Sequence, residues 1–309
     1  MLNRILVPLD GTRTGEAALP YAEVLARRSS ATLVLIHAVR ARLHGNLPMG
    51  PLQAVEKGQA YLTTVAEQLR QRGVAAEIGL PYGAAEAWIA REIDLRKVDL
   101  VVMGTHDRGR PAHWLHPSIA EAVVGQAEVP VLITRADAQP TADRFAQPRT
   151  ALIVPLDGST LAEAALPAAT QLATWLQASL ILVRVAMVPG MMVPPEPTVP
   201  AFLEQDIEQI GRKAEAYLAR IRSGLPPQLT VETVVRWGEP AAEIAAVADL
   251  YRAAAVVMAT HGRTGLLRSL LGSVAGAVVH QGAVPVVMIR PKSTTRGETQ
   301  SLAASRSSS

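Results

Sequence analysis

The fold is decided by the stretch Val256-Val-Met-Ala-Thr-His-Gly-Arg-Thr-Gly-Leu-Leu-Arg-Ser-Leu-Leu-Gly-Ser-Val274. Its first residues are apolar and rich in valine, which predicts a buried strand of a parallel sheet. The run breaks near Gly262, because glycine can adopt backbone angles that are closed to other residues. After Gly272, Ser273 can cap an apolar segment of helical period that extends to Val279. The stretch therefore predicts a strand, a glycine loop and a helix N-terminus in direct succession.

A strand, a glycine loop and a helix N-terminus together provide a place for an anion. The first N–H groups of a helix have no partner within the helix, and the helix dipole favours negative charge at this end. Gly262 and Gly272-Ser273 lie where such a loop would bring main-chain N–H groups together. We therefore expect this segment to bind an anion, most readily a phosphate group.

The same pattern occurs twice in the chain. Val101 to Arg108 reads Val-Val-Met-Gly-Thr-His-Asp-Arg and aligns with Val256 to Arg263. Val7-Pro-Leu-Asp-Gly11 likewise repeats as Val154-Pro-Leu-Asp-Gly158. Both matches keep their order along the chain, so the sequence is a duplication of one unit.

Composition and charge limit the class of protein. A chain of 309 residues with 49% hydrophobic and only 4% aromatic residues can form two ordinary domains with cores of Ala, Val, Leu and Ile. The net charge is +3, and the basic residues are scattered, which argues against a nucleic-acid partner. The absence of cysteine excludes disulfides and thiolate metal sites. No signal peptide is recognisable after Met1, and no apolar run approaches the roughly 18 residues of a membrane span, so we expect a cytoplasmic protein without a membrane partner.

Each copy alternates predicted strands with predicted helices. This order is typical of an α/β domain with a parallel sheet and helices on both faces. We predict a first domain over residues 1–136 and a second over residues 150–291. Residues 137–149 are polar and contain proline, so we interpret them as a linker, and the Ser/Thr/Arg-rich residues 292–309 as a disordered tail.

Pro-Leu-Asp-Gly after the first strand, combined with the Gly-Thr-His-Gly type of loop and a distant Gly-Ser, resembles the universal stress protein family. The resemblance extends over both copies and implies a tandem protein of this family. It implies two doubly wound, Rossmann-like parallel sheets of five strands, one per repeat, each in the order 3-2-1-4-5. In this order the loops after strands 1 and 4 flank a crevice where ligands bind. In the second copy those loops carry Asp157 and His261-Gly262.

The family's nucleotide loop reads Gly, two residues, Gly, nine residues, Gly, then Ser or Thr. The second copy matches it with Gly262, Gly272 and Ser273, but Ala259 replaces the first glycine, which adds one methyl group. The resemblance therefore implies that the second copy binds ATP, with or without Mg. The implied ligand-binding residues are Pro155, Asp157 and Val185 toward the adenosine, Met258 and Ala259 toward the ribose, and His261, Gly262, Arg263, Gly272, Ser273 and Val274 around the phosphates.

Three of these assignments have a structural alternative. Asp157 is also a suitable turn residue at the end of a strand, and Arg263 is also a suitable solvated loop charge. His261 has no neighbouring nucleophile or carboxylate in the sequence, which favours a structural over a catalytic role.

The first copy departs from the pattern at two positions. Asp107 stands where the second copy has Gly262, and Pro117 stands where it has Gly272. Proline has no N–H to offer to a phosphate. At about 5 Å and an effective dielectric constant near 20, each pair of like charges costs on the order of 3 kcal/mol. We therefore predict that the first copy binds ATP weakly or not at all, although Asp10 and Ser118 are kept.

Three classes of function remain open. The first is a nucleotide-binding regulator of the stress response, and the second is a structural or interaction protein of the same fold that binds no nucleotide. The third is an enzyme, which we do not expect beyond slow ATP hydrolysis, because the chain lacks the Gly-x-x-x-x-Gly-Lys, Gly-x-Gly-x-x-Gly and His-Glu-x-x-His motifs. A metal site at His106, His113 and His116 is conceivable, but a loop that contains histidines by chance explains them more simply.

The last strand of each copy is apolar. Val129 to Thr134 and Val284 to Ile289 would be adhesive as exposed sheet edges. In the family such strands commonly pair with their counterparts in a second domain. We therefore expect the two copies to form an intramolecular pseudo-dimer, and we leave open a homodimer of whole chains.

Overall fold

The computed structural model describes residues 1–39, 43–44, 47–48, 51–105, 119–136, 141–187, 201–260 and 271–291. The ranges that it does not describe contain His106, Asp107, His113, His116, Pro117, Ser118, His261, Gly262, Arg263 and the predicted tail.

The first copy alternates strands and helices along the chain. Its strands are β1 (Arg4–Pro8), β2 (Thr32–Ile36), the two-residue strands β3 (Leu43–His44) and β4 (Leu47–Pro48), β5 (Ala76–Gly79), β6 (Leu100–Thr105) and β7 (Val131–Arg135). Its helices are α1 (Arg13–Glu16), α2 (Leu19–Ser29), α3 (Pro51–Gln71), α4 (Ala85–Leu95) and α5 (Ile119–Val124).

A short helix, α6 (Ala142–Ala146), precedes the second copy. The strands of the second copy are β8 (Ala151–Pro155), β9 (Ser179–Ala186), β10 (Val231–Trp237), β11 (Ala255–Ala259) and β12 (Val286–Ile289). Its helices are α7 (Thr160–Glu163), α8 (Leu166–Leu176), α9 (Ala201–Ser223), α10 (Pro240–Leu250) and α11 (Ser273–Gln281).

The strands have the order β10-β9-β8-β11-β12-β7-β6-β1-β2-β5 in one ten-stranded sheet. Within each copy this is the predicted order 3-2-1-4-5, and the pairings of this sheet inside a copy are all parallel. The short strands β3 and β4 form a separate antiparallel pair in the first copy. The two five-stranded sheets, one per repeat, are joined at their edges, because β7 and β12 pair antiparallel and make the sheet continuous. The parallel strands of one copy therefore run opposite to those of the other.

Helices cover both faces of this sheet. Successive strand residues point to opposite faces, so Ile5 and Val7 belong to one hydrophobic core and Leu6 to the other. The first core is closed by α2, α3, α8 and α9, which contribute Leu25, Leu62, Leu172 and Leu218. The second core is closed by α4, α5, α10 and α11, which contribute Ile93, Val123, Ile244 and Val278.

Two arginines in equivalent positions bridge the copies beside the β7–β12 pair. Arg135, the last residue of β7, donates from Nη1 to the carbonyl oxygens of His280 at 2.6 Å and Gly282 at 3.3 Å. Arg290, which follows β12, donates from Nη1 to the carbonyl oxygen of Gln126 at 3.1 Å. These carbonyls lie at the carboxyl ends of α11 and α5, where a positive charge is favourable.

The predicted linker is partly helical, which the polar sequence did not lead us to expect. Phe145 of α6 is 1% exposed and packs edge-on against Tyr21 of α2, with ring centroids 5.7 Å apart. The Tyr21 hydroxyl accepts from the Thr141 N–H at 3.0 Å. Arg144 donates from Nη1 to the carbonyl oxygen of Ala253 in the second copy at 3.2 Å. One buried aromatic side chain thus anchors this segment to the first copy.

Among the residues that the structure describes, none of the helices combines the length and the apolar character that crossing a bilayer requires.

Candidate functional site

The carboxyl ends of β8 and β11 lie side by side in the second copy. These strands pair directly, with Ile153 opposite Val256, and β9 lies on the other side of β8. The chain leaves β8 toward α7 and α8 on one face of the sheet, and α11, which follows β11, belongs to the core on the other face. A crevice between oppositely directed connections is the usual ligand position in open parallel sheets.

Asp157 is exposed in the turn that follows β8. One of its oxygens, Oδ1, accepts from the Ser159 N–H at 2.9 Å. Gly158 has a φ of 86°, which an L side chain rarely adopts, and Ser159 caps α7 by accepting from the Ala162 N–H at 3.1 Å. Asp157 thus has the turn role considered from sequence. A carboxylate offers about four acceptor sites, so this role leaves acceptor capacity toward the crevice.

The environment of Asp157 favours the ionised carboxylate. Partial burial acts to raise its pKa, but the hydrogen bonds from Ser159 and the charge of Arg184 outweigh burial, so that the pKa of Asp157 lies below its ordinary value. At neutral pH Asp157 is therefore an acceptor only, which suits ligand hydroxyl or amine donors.

A cluster of four side chains borders this turn, and we name Arg184, Tyr217, Glu163 and Arg220 the Arg184 cluster. Arg184 of β9 donates from Nη1 to the Leu156 carbonyl oxygen at 3.3 Å, and its guanidinium carbon lies 5.8 Å from the centroid of the Tyr217 ring. The Tyr217 hydroxyl donates to Glu163 Oε1 at 3.1 Å. Arg220 pairs with the same oxygen at 3.1 Å and lies 5.2 Å from the Tyr217 centroid.

Tyr217 remains a hydrogen-bond donor over the physiological pH range. Burial, followed by the hydrogen bond to Glu163 and the charge of that carboxylate, raises the pKa of Tyr217 to about 12. We call the hydrogen-bonded Tyr217–Glu163 pair the frame. The frame holds the ring against which the guanidinium of Arg184 packs.

The first copy has the same frame with a different residue opposite it. The Tyr61 hydroxyl donates to Glu16 Oε1 at 2.9 Å, and burial together with Glu16 raises the pKa of Tyr61. His37 occupies the position of Arg184: its Nδ1 lies 2.9 Å from the Leu9 carbonyl oxygen, and its ring packs edge-on against Tyr61 at 6.1 Å.

The end of the fourth strand also differs between the copies. In the first copy, a Cβ added to Gly104 of β6 would overlap the carbonyl oxygen of Thr14, so the main chain of α1 lies directly on the end of β6. Ala259 of β11 carries a Cβ at the equivalent position, so α7 must lie farther from β11 than α1 lies from β6. Asp10 follows β1 and accepts through Oδ1 from the Thr12 N–H at 3.0 Å and the Thr12 hydroxyl at 2.6 Å.

The predicted phosphate end starts α11 in a different way from our expectation. We expected Ser273 to cap this helix, but the cap residue is Gly272, with a φ of 73°, and Ser273 is the first helical residue. Glycine occupies the cap because its positive φ would strain a serine. The N–H groups of the first turn, from Ser273 onward, belong to the class without intrahelical partners.

The structure brings most of the predicted residues together at the carboxyl ends of the central strands of the second copy. Pro155 ends β8 and pairs with Val183, which places Val185 of β9 level with the Asp157 turn. Met258 is only 8% exposed and packs in the second core, so its side chain belongs to that core. Ala259 ends β11, and Val274 lies half-buried in the first turn of α11. His261, Gly262 and Arg263 lie outside the described residues.

The Arg184 cluster was not predicted from the sequence. Its members lie far apart in the chain and meet only because β9 pairs with β8 and α9 packs on β9 and β10. One signal was available: Arg184 is a charged residue inside an otherwise apolar strand, at a position equivalent to His37. A polar residue in a buried strand requires a partner, and the partner is the carbonyl group before Asp157.

Comparisons with known proteins match this chain over both copies. The model of the family described as "Universal stress protein family" matches residues 1–135 and 149–290. A universal stress protein of Mycobacterium tuberculosis is 27% identical over 305 residues, which cover 93% of this chain and 96% of that protein. One of Mycolicibacterium smegmatis is 29% identical over 300 residues, with 93% and 97% covered. The crystal structure of a universal stress protein from Archaeoglobus fulgidus has a TM-score of 0.67 at 19% identity and covers 94% of this chain and 99% of that one.

Proposed function

Because the chain belongs to the universal stress protein family in both of its copies, we propose that it is a stress-response regulator that binds ATP in its second copy. The observation that carries the proposal is the Asp157 turn, an ionised acceptor at the end of β8 and directly beside the end of β11. The loop pattern that ends at Gly272-Ser273 follows β11 in sequence and supplies the phosphate-binding character.

Different residues are proposed to contact different parts of the nucleotide. Asp157 accepts from the ribose hydroxyls, and Val185 offers an apolar contact to the base. Gly262, Arg263 and the first turn of α11 receive the phosphates through main-chain N–H groups and one side-chain charge. Any Mg²⁺ that accompanies the nucleotide is proposed to be carried by the phosphates.

The first copy is proposed to bind ATP weakly or not at all. Asp107 and Pro117 support this proposal from sequence, since they add a negative charge and remove an N–H donor. The direct contact of α1 with Gly104 adds a steric reason.

The whole chain is proposed to act in the cytoplasm as an intramolecular pseudo-dimer. The antiparallel β7–β12 pair and the two bridging arginines support this arrangement. Fast ATP turnover is not proposed, because the sequence carries none of the motifs that position a nucleophile on a phosphate.

Mass spectrometry of the ligand released from freshly purified protein, followed by calorimetric titration with ATP, tests the proposal. We expect ATP to copurify and Gly262→Asp, the first copy's residue, to weaken binding by on the order of a hundredfold. Gly224→Asp is the matched control, because Gly224 follows α9 and lies near the opposite edge of the sheet. A wild-type protein that neither carries nor binds ATP would favour the alternative, an interaction protein without nucleotide.

A further inference from the structure

Arg184 links the second copy's frame to its candidate ligand residue. Its Nη1 donates to the Leu156 carbonyl oxygen, and a Cβ added to Gly158 would lie 3.4 Å from the same nitrogen. The guanidinium therefore contacts the residue before Asp157, and it lies close enough to Gly158, the residue after Asp157, to touch any side chain placed there. The Tyr217 ring supports the guanidinium 5.8 Å away, and Glu163 holds the Tyr217 hydroxyl.

The corresponding place in the first copy carries His37 in place of the arginine. His37 contacts the equivalent carbonyl of Leu9 through Nδ1, and its Cδ2 and Nε2 lie toward Gly58 of α3. Thr64 stands on α3 where Arg220 stands on α9, one turn beyond the tyrosine. Among the described residues, both copies thus keep an aspartate, a glutamate and a tyrosine beside this turn. The second copy has arginines at the two positions where the first has His37 and Thr64.

The second copy can therefore hold its aspartate differently. A guanidinium has five donors in a rigid plane and keeps its charge at every relevant pH, whereas an imidazole offers one donor in its neutral form. The charge of Arg184 beside the turn adds to the hydrogen bonds from Ser159 in keeping the Asp157 carboxylate ionised.

We propose that Arg184 is a positioning residue, which fixes the Leu156–Gly158 turn so that the Asp157 carboxylate is directed at the hydroxyl groups of a bound ribose. The inference rests on the proposed function and extends it: the second copy selects ligands that carry a ribose diol. Arg184 acts through Asp157 and does not itself contact the ligand.

Arg184→Met tests this role, since methionine keeps an apolar stem against Tyr217 and removes the charge and the donors. The probes are ATP and 2′,3′-dideoxy-ATP, measured by calorimetry on the full chain. Hydrogen bonds to charged groups are strong, so we expect the variant to weaken ATP binding about tenfold while dideoxy-ATP binding stays unchanged. Arg212→Met is the matched control, because Arg212 lies on the exposed side of α9 and pairs with Glu208.

A second measurement does not depend on nucleotide. The charged and titratable groups around this turn, among the described residues, are Arg184 from β9, Glu163 from α7, and Tyr217 and Arg220 from α9. Carbon-detected NMR of the free protein should give a higher pKa for Asp157 in Arg184→Met than in wild type, with Arg184→Lys in between. A role in folding alone would leave this ordering absent.

The outcomes separate the two proposals. If wild-type protein binds no ATP, the proposed function fails, and the NMR ordering alone then decides whether Arg184 positions Asp157. If wild-type protein binds ATP but Arg184→Met weakens both nucleotides equally, or neither, the inference is wrong and the proposed function stands. A selective loss for ATP supports both.

Discussion

Near the carboxyl ends of the strands, some side chains are the same in both copies and others differ. The shared side chains form a hydrogen-bonded tyrosine–glutamate pair. In this pair the tyrosine hydroxyl donates to the glutamate carboxylate: Tyr61 donates to Glu16 in the first copy, and Tyr217 donates to Glu163 in the second. The position opposite the frame is His37 in one copy and Arg184 in the other, and each contacts the carbonyl before the aspartate. The hydrogen-bonded geometry of the turn is thus kept while its charge changes.

The lowered pKa of Asp157 makes part of the stability dependent on pH. A carboxyl group whose pKa in the folded state lies below its unfolded value of 3.8 stabilises the fold above the unfolded pKa, and this contribution is lost as the pH falls through the folded pKa. We expect Asp157→Asn to lower the free energy of unfolding more at about pH 7 than below about pH 3. Urea unfolding at both pH values measures the difference, and Asp206→Asn on the exposed side of α9 is the control. An equal effect at both pH values would contradict the assignment.

Asp157 could be predicted from sequence because its motif directly follows a strand and occurs twice. Gly272 could also be predicted, although its role as the helix cap, in place of Ser273, depends on a positive φ that sequence spacing does not reveal. Arg184, Tyr217 and Glu163 could not be predicted as a group. Their contacts depend on the depth at which α9 packs against β9, which no local pattern encodes.

The short helices after the first strand of each copy pack at different distances from the sheet. In the first copy α1 contacts β6 so closely that only glycine fits at position 104. In the second copy Ala259 separates α7 from β11. Gly104 aligns with Ala259 of the second copy, and its observed neighbour is the main chain of α1.

Exchanging these two residues tests the packing difference. We expect Gly104→Ala to destabilise the protein by about 1–3 kcal/mol, because the added methyl must displace α1. The reciprocal change, Ala259→Gly, should cost only about 0.5–1 kcal/mol through backbone entropy. Urea denaturation compares them, and a Gly104→Ala variant as stable as wild type would show that α1 moves freely.

The helix α6 could not be predicted from the sequence. Strands and long helices were predicted in order because their apolar periods extend over many residues. Residues 142–146 are too few to show a period, and α6 is ordered by the burial of Phe145 against Tyr21. Tertiary contact, rather than local propensity, sets this segment.

The two copies form one sheet with a local two-fold relation at its centre. The β7–β12 pair supplies the main-chain contact, α2 contacts α8 on one face, and Arg135 and Arg290 each bind the end of a helix in the other copy. The continuous hydrogen-bonded sheet should make the copies unfold together.

Removing both arginines should weaken this coupling. Each is a charged donor to carbonyl groups, so we expect Arg135→Met with Arg290→Met to destabilise the junction by about 1–3 kcal/mol per site. Hydrogen exchange of the β7 and β12 amides should accelerate, while that of β1 and β8 should not. Arg212→Met serves as the surface control, and unchanged exchange at β7 and β12 would disprove the bridging role.

The continuous junction within one polypeptide has a consequence for how the molecule can change over time. In a pair of identical subunits every inherited substitution appears on both sides of the dyad at once. Here each copy is encoded separately, so equivalent positions can hold different residues. The first copy has His37 where the second has Arg184, and Gly104 where the second has Ala259, without a change at the β7–β12 junction. After gene duplication the two copies could therefore accept substitutions independently, and the two ends of the molecule now differ chemically.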